Sequence, residues 1–315
     1  LAQLGVLLAG AVYVPLDPEQ PADRQRLICQ SANLALVITG AVYRHRLADI
    51  HCGPIQLIGL LTSANREYRP RYGDAASYLM FTSGSTGTPK GVEVSHRALA
   101  HFAQAAEQRY GITPADRVLQ FAPFNFDASI EEVFVSLSAG ATLVLRTDAM
   151  LQSMAAFVDG LEQQAITVVD LPTAFWNEWV VALRSDQARI PAQLKTVIIG
   201  GEAVYPEQLA AWQRVNRSDV RLINTYGPTE TTVVATTCDL QRIDPNREQL
   251  PIGRPLAGVE ALILDRGNRP ALEGELVLFG AQLANGYLNS DSPAFPHLRI
   301  GDETARVYRT GDRVR

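Results

Sequence analysis

Through about residue 237, short β-branched apolar runs alternate with longer amphipathic ones, and this alternation restricts the fold more than any other feature of the chain. Residues 34–39, 56–60, 118–122, 141–145, 167–171, 196–199 and 221–224 read as strands. Between several of them, 95–110 (stopped by Gly111), 129–138 (stopped by Gly140) and 150–164 carry apolar residues at helical spacing. Such alternation predicts an α/β fold in which helices cover mostly parallel sheets. After about Thr237 the helical period ends, and alternating segments at 260–264 and 275–279 sit between Gly and Pro turns, as in a small β subdomain. The expected division is 1–237 for the α/β core and 238–315 for a small β subdomain of the same core.

The 315 residues supply chain for about two domain-sized units and an ample core. Lys plus Arg number 28 against 33 Asp plus Glu, a net charge of −5, so no basic excess advertises nucleic acid or an anionic membrane. The apolar start, residues 4–16, lacks a basic leader and a cleavage site and is too short to span a bilayer. It reads as a core helix end running into a strand. Cys29, Cys52 and Cys238 are odd in number and far apart, with neither a paired framework nor C-x-x-C spacing, which fits a reducing cytoplasm.

Chemistry concentrates in a few loops. Thr82-Ser83-Gly84-Ser85-Thr86-Gly87-Thr88-Pro89-Lys90-Gly91 follows the apolar strand Tyr78-Leu79-Met80-Phe81. Glycines let backbone approach a ligand closely, hydroxyls and N–H groups cradle phosphate oxygens, and Lys90 adds a positive charge. The spacing differs from the common nucleotide loop, since Gly87 is not followed directly by Lys and Ser/Thr. A Ser/Gly linker has the same composition, but the strand before it, Pro89 and Lys90 argue for a polyphosphate cradle. Asn224-Thr225-Tyr226-Gly227-Pro228-Thr229-Glu230 also follows a predicted strand, where open α/β sheets place ligands. Glu230 is the candidate ligand for Mg²⁺, a hard cation that bridges nucleotide phosphates. His96 and His101 read as surface or packing residues, Trp176 and Trp179 as core, and Asp116-Arg117 as solvated loop charges.

These loops, with Leu8-Ala9-Gly10-Ala11-Val12-Tyr13-Val14-Pro15-Leu16-Asp17, Phe126-Asp127-Ala128-Ser129, Gly274-Glu275-Leu276, Gly286-Tyr287-Leu288 and Tyr308-Arg309-Thr310-Gly311-Asp312, occur in the order seen in adenylate-forming enzymes. The chain resembles the nonribosomal peptide synthetase adenylation domains of that superfamily, over essentially its whole length. The resemblance implies ATP-dependent activation of a carboxylic acid as an acyl adenylate, with pyrophosphate released. The acyl group then passes to a phosphopantetheine arm on a carrier protein, beside condensation domains of a larger synthetase. It assigns catalytic roles to Lys90, Thr86 and Glu230, with Mg²⁺ on Glu230. ATP contacts fall to Thr82, Ser83, Gly84, Ser85, Thr86, Gly87, Lys90, Gly201, Glu202, Ala203, Asn224, Tyr226 (stacking on adenine), Gly227, Thr229 (touching the α-phosphate) and Asp312 (accepting both ribose hydroxyls).

In the family, the Asp of Phe-Asp-x-Ser pairs with the substrate's α-ammonium, which makes Asp127 the mark of an amino-acid substrate. Its alternative role is an N-terminal cap on the helix from Ser129. The pocket positions that carry over are Asp127, Ala128, Glu131, Asp170, Ile198, Gly200, Thr225, Val233 and Val234. Glu131 lies one helical turn after Asp127, and Asp170 ends an apolar strand, an expensive place for an unpaired carboxylate. Buried like charges repel and a cationic ligand relieves them, so lysine, ornithine, arginine or a close relative is the expected substrate. In the rival reading Glu131 pairs within the protein or faces water, and Asp170 serves a polar neutral substrate.

Complete family members carry a smaller C-terminal lid domain with a hinge, a Gly-rich loop and a Lys. The resemblance implies that this domain, and an N-terminal part of the first subdomain, are missing, so that little activity is expected of this stretch alone. Asn285 stands where the family has Arg before Gly-Tyr-Leu. An acyl- or aryl-CoA ligase of the same fold, which would not need Asp127, and a noncatalytic remnant are the alternative functions.

Overall fold

A computed structural model describes residues 1–47, 50, 54–57, 71–82, 89–216 and 220–315. Helix α1 (Ala2–Leu8) runs into an extended stretch where Tyr13 bridges Tyr78 in parallel, but the apolar start is not the expected core helix and strand: Gln3 is the only buried residue of α1, Leu8 is exposed, and the pairing is a single isolated bridge. Helix α2 (Ala22–Ser31), strand β1 (Val37–Thr39), helix α3 (Arg44–Leu47) and strand β2 (Ile55–Leu57) follow, with β1 and β2 paired in parallel. Cys29 is disulfide-bonded, which corrects the expectation of three unpaired thiols; Cys238 is buried and free.

Strands β3 (Ala76–Thr82) and β4 (Lys90–Ser95) form an antiparallel hairpin closed by Thr82 opposite Lys90. Ser95 caps helix α4 (His96–Tyr110) by accepting from the Ala98 N–H, and Gly111 ends it at φ 71°. The left-handed turn there favours a residue without Cβ.

The strand and helix alternation then builds the main sheet from β5 (Arg117–Gln120), α5 (Ala128–Ser138), β6 (Thr142–Leu145), α6 (Met154–Gln163), β7 (Val168–Pro172), α7 (Thr173–Arg184), β8 (Thr196–Gly200), α8 (Pro206–Val215) and β9 (Arg221–Tyr226). Strands β6, β5, β7, β8 and β9 lie side by side in parallel. The two-residue period divides their side chains between two cores. Val168, Ile198 and Ile223 pack with Phe102, Ala106, Tyr110 and Ile130 of α4 and α5. Val169, Val197, Ile199 and Leu222 pack with Phe157, Trp176, Trp179 and Trp212 of α6, α7 and α8. Both predicted core tryptophans are fully buried.

Two features differ from expectation. The main sheet continues past residue 237, because β10 (Thr236–Asp239) turns back antiparallel on β9 and β11 (Arg254–Pro255) follows on its edge. The separate antiparallel sheet begins only at β12 (Val259–Leu264), in the order β12, β13 (Gly274–Gly280), β16 (Glu303–Val314), β15 (His297–Ile300), while β14 (Gly286–Tyr287) returns to pair with β4. Loss of helical period therefore marks a reversal of strand direction before it marks a new sheet. Asp116 is not a solvated charge. It is 3% exposed and accepts from Thr113 N–H and Oγ1, Thr167 Oγ1 and Lys195 Nζ, and these partners hold its carboxyl down at about 2 against the opposing effect of burial. Among the described residues no helix is long and apolar enough to cross a membrane.

Candidate active site

Among the described residues, several of the predicted site residues lie in or just beyond the carboxyl-terminal halves of β7, β8 and β9, where the loops of an open parallel sheet meet ligands. Register places Asp170 beside Ile198, and Ile198 beside Ile223, on the face that α5 covers. Gly200 and Thr225 continue that face one step further along. A Cβ at Gly200 would overlap Thr225 Oγ1, so a side chain there would displace the threonine, which itself donates to the Ile199 carbonyl at 3.0 Å.

Helix α5 brings its acids against this face. Glu131, 4% exposed, accepts a hydrogen bond from the buried Tyr110 hydroxyl. Asp170 is 8% exposed and its Oδ2 has no hydrogen-bond partner. Burial first, and Asp127 next, push the Asp170 carboxyl up to about 7. Burial and then Asp170 raise Glu131, against the pull of the Tyr110 hydrogen bond. The three acids 127, 131 and 170 are thus within electrostatic reach of one another. Among the described residues none of them is ion-paired.

Asp127 stands at the N-terminus of α5 but makes no side-chain capping bond. Its Oδ2 instead accepts from Thr229 Oγ1 at 2.5 Å, and burial raises its carboxyl. The approach to Asp127 is held by Glu132, which sequence reasoning did not single out. Its carboxylate accepts from the Phe121 and Ala122 N–H groups, each at 2.9 Å, and from Gln120 Nε2 at 3.1 Å.

Thr229 and Glu230 begin a 3₁₀ turn (Thr229–Thr231) after β9. Glu230 Oε1 accepts from the Tyr287 hydroxyl at 2.5 Å, and the exposed Lys90 ammonium lies 5.3 Å from the centroid of the Tyr287 ring. Burial and Glu230 both raise the Tyr287 hydroxyl. Tyr287 lies in a motif noted in the sequence, but nothing local foretold that it would join Lys90 to Glu230. The Tyr226 hydroxyl donates to Asp312 Oδ2 at 2.5 Å, bringing β9 and β16 together. Gly201, at φ 86°, and the exposed Glu202 and Ala203 follow β8, and the buried Thr173 hydroxyl reaches the carbonyls of Gly200 at 3.1 Å and Glu202 at 3.3 Å.

Gly227 has no room for a side chain, since a Cβ would overlap backbone atoms of Val233, Val234 and Ala235. Val233 and Val234 are buried in the core shared with Ile198. Ala128 is half-buried at the start of α5. Asn224 lies on the opposite sheet face, where its Nδ2 donates to the Pro251 carbonyl at 3.3 Å. Thr82 and Lys90 face each other at the base of the loop expected to cradle phosphate. Ser83, Gly84, Ser85, Thr86 and Gly87 lie outside the described residues.

Among the described residues no group of three or more His, Cys, Asp or Glu is arranged to hold a metal. That donor set fits Mg²⁺ all the same, because this ion is commonly held by one or two carboxylates, substrate phosphates and water rather than by a protein cage. Glu230, 8% exposed and oriented by Tyr287, is such a carboxylate. A cleft of about 710 Å³ lies on the small antiparallel sheet, but four of the charged residues around it are paired with one another, Arg309 with Glu275 and Arg313 with Glu273.

The sequence matches a family described as AMP-binding enzyme over residues 1–288. It is 45% identical, over 100% of this chain and 21% of the relative, to isonitrile lipopeptide synthase from Streptomyces coeruleorubidus. The fold is similar to that of PA1221, an NRPS protein containing adenylation and PCP domains bound to a vinylsulfonamide inhibitor (TM-score 0.84, 26% identity, 99% of this chain and 54% of that one). It is also similar to the AMPPNP-bound form of the nonribosomal peptide synthetase FmoA3 (TM-score 0.87, 27% identity, 99% of this chain and 34% of that one). The chain spans less than a third of the length of the curated relatives it matches. With the loop order, the acid-lined sheet face and this likeness in agreement, the chain belongs to the AMP-binding enzyme family, in its nonribosomal peptide synthetase adenylation branch.

Proposed function

We propose that this chain activates an amino acid with a basic side chain, of the lysine, ornithine or arginine kind, as its aminoacyl adenylate for transfer to a phosphopantetheine carrier protein in a larger synthetase with condensation domains. The observation that carries the substrate class is the buried, unpartnered Asp170 Oδ2 beside Glu131. A cationic side chain would satisfy that oxygen and relieve the repulsion between the two acids. Asp127 takes the α-ammonium, leaving the substrate carboxylate free to attack the α-phosphate of ATP as pyrophosphate departs. Lys90 and the N–H groups of its loop neutralise phosphate charge, Tyr226 and residues 201–203 bound the adenine, and Asp312 accepts the ribose hydroxyls. Glu230 would hold Mg²⁺, which when bound would supply charge neutralisation at the phosphates.

Exchange of labelled pyrophosphate into ATP across a panel of amino acids tests this reading in the intact parent polypeptide. Basic amino acids are expected to give the highest kcat/KM, and a preference for leucine or phenylalanine would overturn the charge argument. One observation favours a second reading: Tyr110 already donates to Glu131. If that bond satisfies Glu131, Asp170 alone faces the ligand, and a neutral carboxamide side chain would lead the panel.

A further inference from the structure

The segment after β9 carries two consecutive non-glycine residues in the left-handed region, Thr232 at φ 59° and Val233 at φ 68°. For a β-branched residue this conformation is costly and persists only where surrounding contacts impose it. Some contacts are local, with the Val234 N–H donating to the Thr232 carbonyl at 2.9 Å and Gly227 against the backbone of residues 233–235, and the side-chain contacts come from a residue far along the chain. Gln282, 1% exposed, donates from Nε2 to the Val234 carbonyl at 2.9 Å and to the Thr231 carbonyl at 3.4 Å, while its own backbone carbonyl accepts from Thr232 Oγ1 at 2.6 Å. Two residues later, the Ala284 N–H donates to the Glu230 carbonyl at 2.9 Å. Gln282 thus brackets the turn from both sides.

We propose that Gln282 is a positioning residue for amino-acid selection, its carboxamide holding residues 231–234 so that Val233 and Val234 are set against Ile198. This rests on the reading of the chain as an amino-acid-activating domain, though not on which amino acid it prefers. Both carboxamide hydrogens face carbonyl oxygens, so only a donor serves at this position. Gln282→Met keeps the length and removes the donors. Gln282→Glu keeps the shape but has a single hydrogen to donate, to one of the two carbonyls, and only while its carboxyl is protonated, the form that burial against carbonyls favours.

The test is pyrophosphate exchange in the intact parent polypeptide, with KM measured separately for ATP and for the amino acid the wild type prefers. Gln282→Met is expected to raise the amino-acid KM about tenfold and to leave the ATP KM within about twofold, a split that general loosening would not produce. Gln282→Glu is expected to lie between wild type and Gln282→Met at pH 6 and to approach Gln282→Met as pH rises to 8. Should Gln282→Met be recovered only as aggregate, the pH series of Gln282→Glu decides. An unchanged amino-acid KM in the variants, equal losses for both substrates, or a Gln282→Glu KM that tracks wild type at every pH would overturn the proposal while the wild type remained active. A wild type that exchanges pyrophosphate with no amino acid would defeat the functional reading itself, and this inference with it.

Discussion

Thr229 Oγ1 donates to Asp127 Oδ2 at 2.5 Å, tying the loop after β9 to the first turn of α5. The residue expected at the α-phosphate is therefore in direct contact with the residue expected at the substrate ammonium. Burial raises the Asp127 carboxyl and this hydrogen bond lowers it. Removing the hydroxyl should leave less of the carboxylate ionised at neutral pH. A hydrogen bond to a charged group contributes about 1.5–3 kcal/mol, so Thr229→Val is expected to lower kcat/KM for the amino acid by about tenfold or more, with Thr229→Ser close to wild type. Equal rates for Thr229→Val and wild type in pyrophosphate exchange would sink the coupling.

Asp170 carries the clearest pH signature. Its carboxyl is pushed up to about 7 in the fold, above the ordinary value of 3.8, so between these values the folded chain binds the extra proton. Stability must then fall as pH rises from about 4 towards about 7 and level off beyond. Asp170→Asn should remove that slope and be more stable than wild type at pH 8 by about 1–3 kcal/mol, the cost of a poorly satisfied buried polar group. Urea titrations from pH 5 to 8 measure it; parallel slopes for both proteins would contradict the burial argument. Affinity for a basic substrate should rise over the same interval, as Asp170 ionises.

Tyr287 orients the carboxylate expected to hold Mg²⁺. Hydrogen bonds of this outer kind commonly influence metal affinity by about 10–100-fold, so Tyr287→Phe is expected to raise the Mg²⁺ concentration for half-maximal exchange by about tenfold. Glu230→Gln should raise it further. A half-saturation that stays put in Tyr287→Phe would show that the tyrosine supports packing alone.

Asp116 predicts the opposite pH behaviour far from the site. Its carboxyl is held at about 2, below the ordinary 3.8, so its contribution is complete above about 4 and is lost as pH falls through about 2. Asp116→Ala leaves the Thr113 and Thr167 donors without their acceptor. It should cost about 3 kcal/mol at pH 7 by chemical denaturation, and much less at pH 2. An equal loss at both pH values would assign the effect to packing.

Residues 95–110 and 129–138 were legible because a helix end leaves local marks: Ser95 caps α4, and Gly111 and Gly140 adopt positive φ just past their helices. The strands of the main sheet were legible because residues buried on both faces form continuous apolar runs. Asp127 and Glu131 could be placed one turn apart at the start of α5 from spacing alone, whereas Asp170, expected to end its strand, is the middle residue of β7, which pairs with β8 through Pro172. Which partners these acids would find was not local information. Tyr110 reaches Glu131 from the end of another helix, Thr229 reaches Asp127 across 102 positions, and Gln282 reaches Val234 across 48. Asp116 looked like a loop charge because two of its partners, Thr167 and Lys195, lie just before β7 and β8, far along the chain. The sequence alone determined the order of elements, the loops and the residue types at the site, since these depend on backbone propensity and short-range pattern. Tertiary structure alone decided which carboxyls are paired, which is left without a partner and which turn is held under strain, because desolvation and hydrogen bonding depend on groups that meet only when the chain has folded.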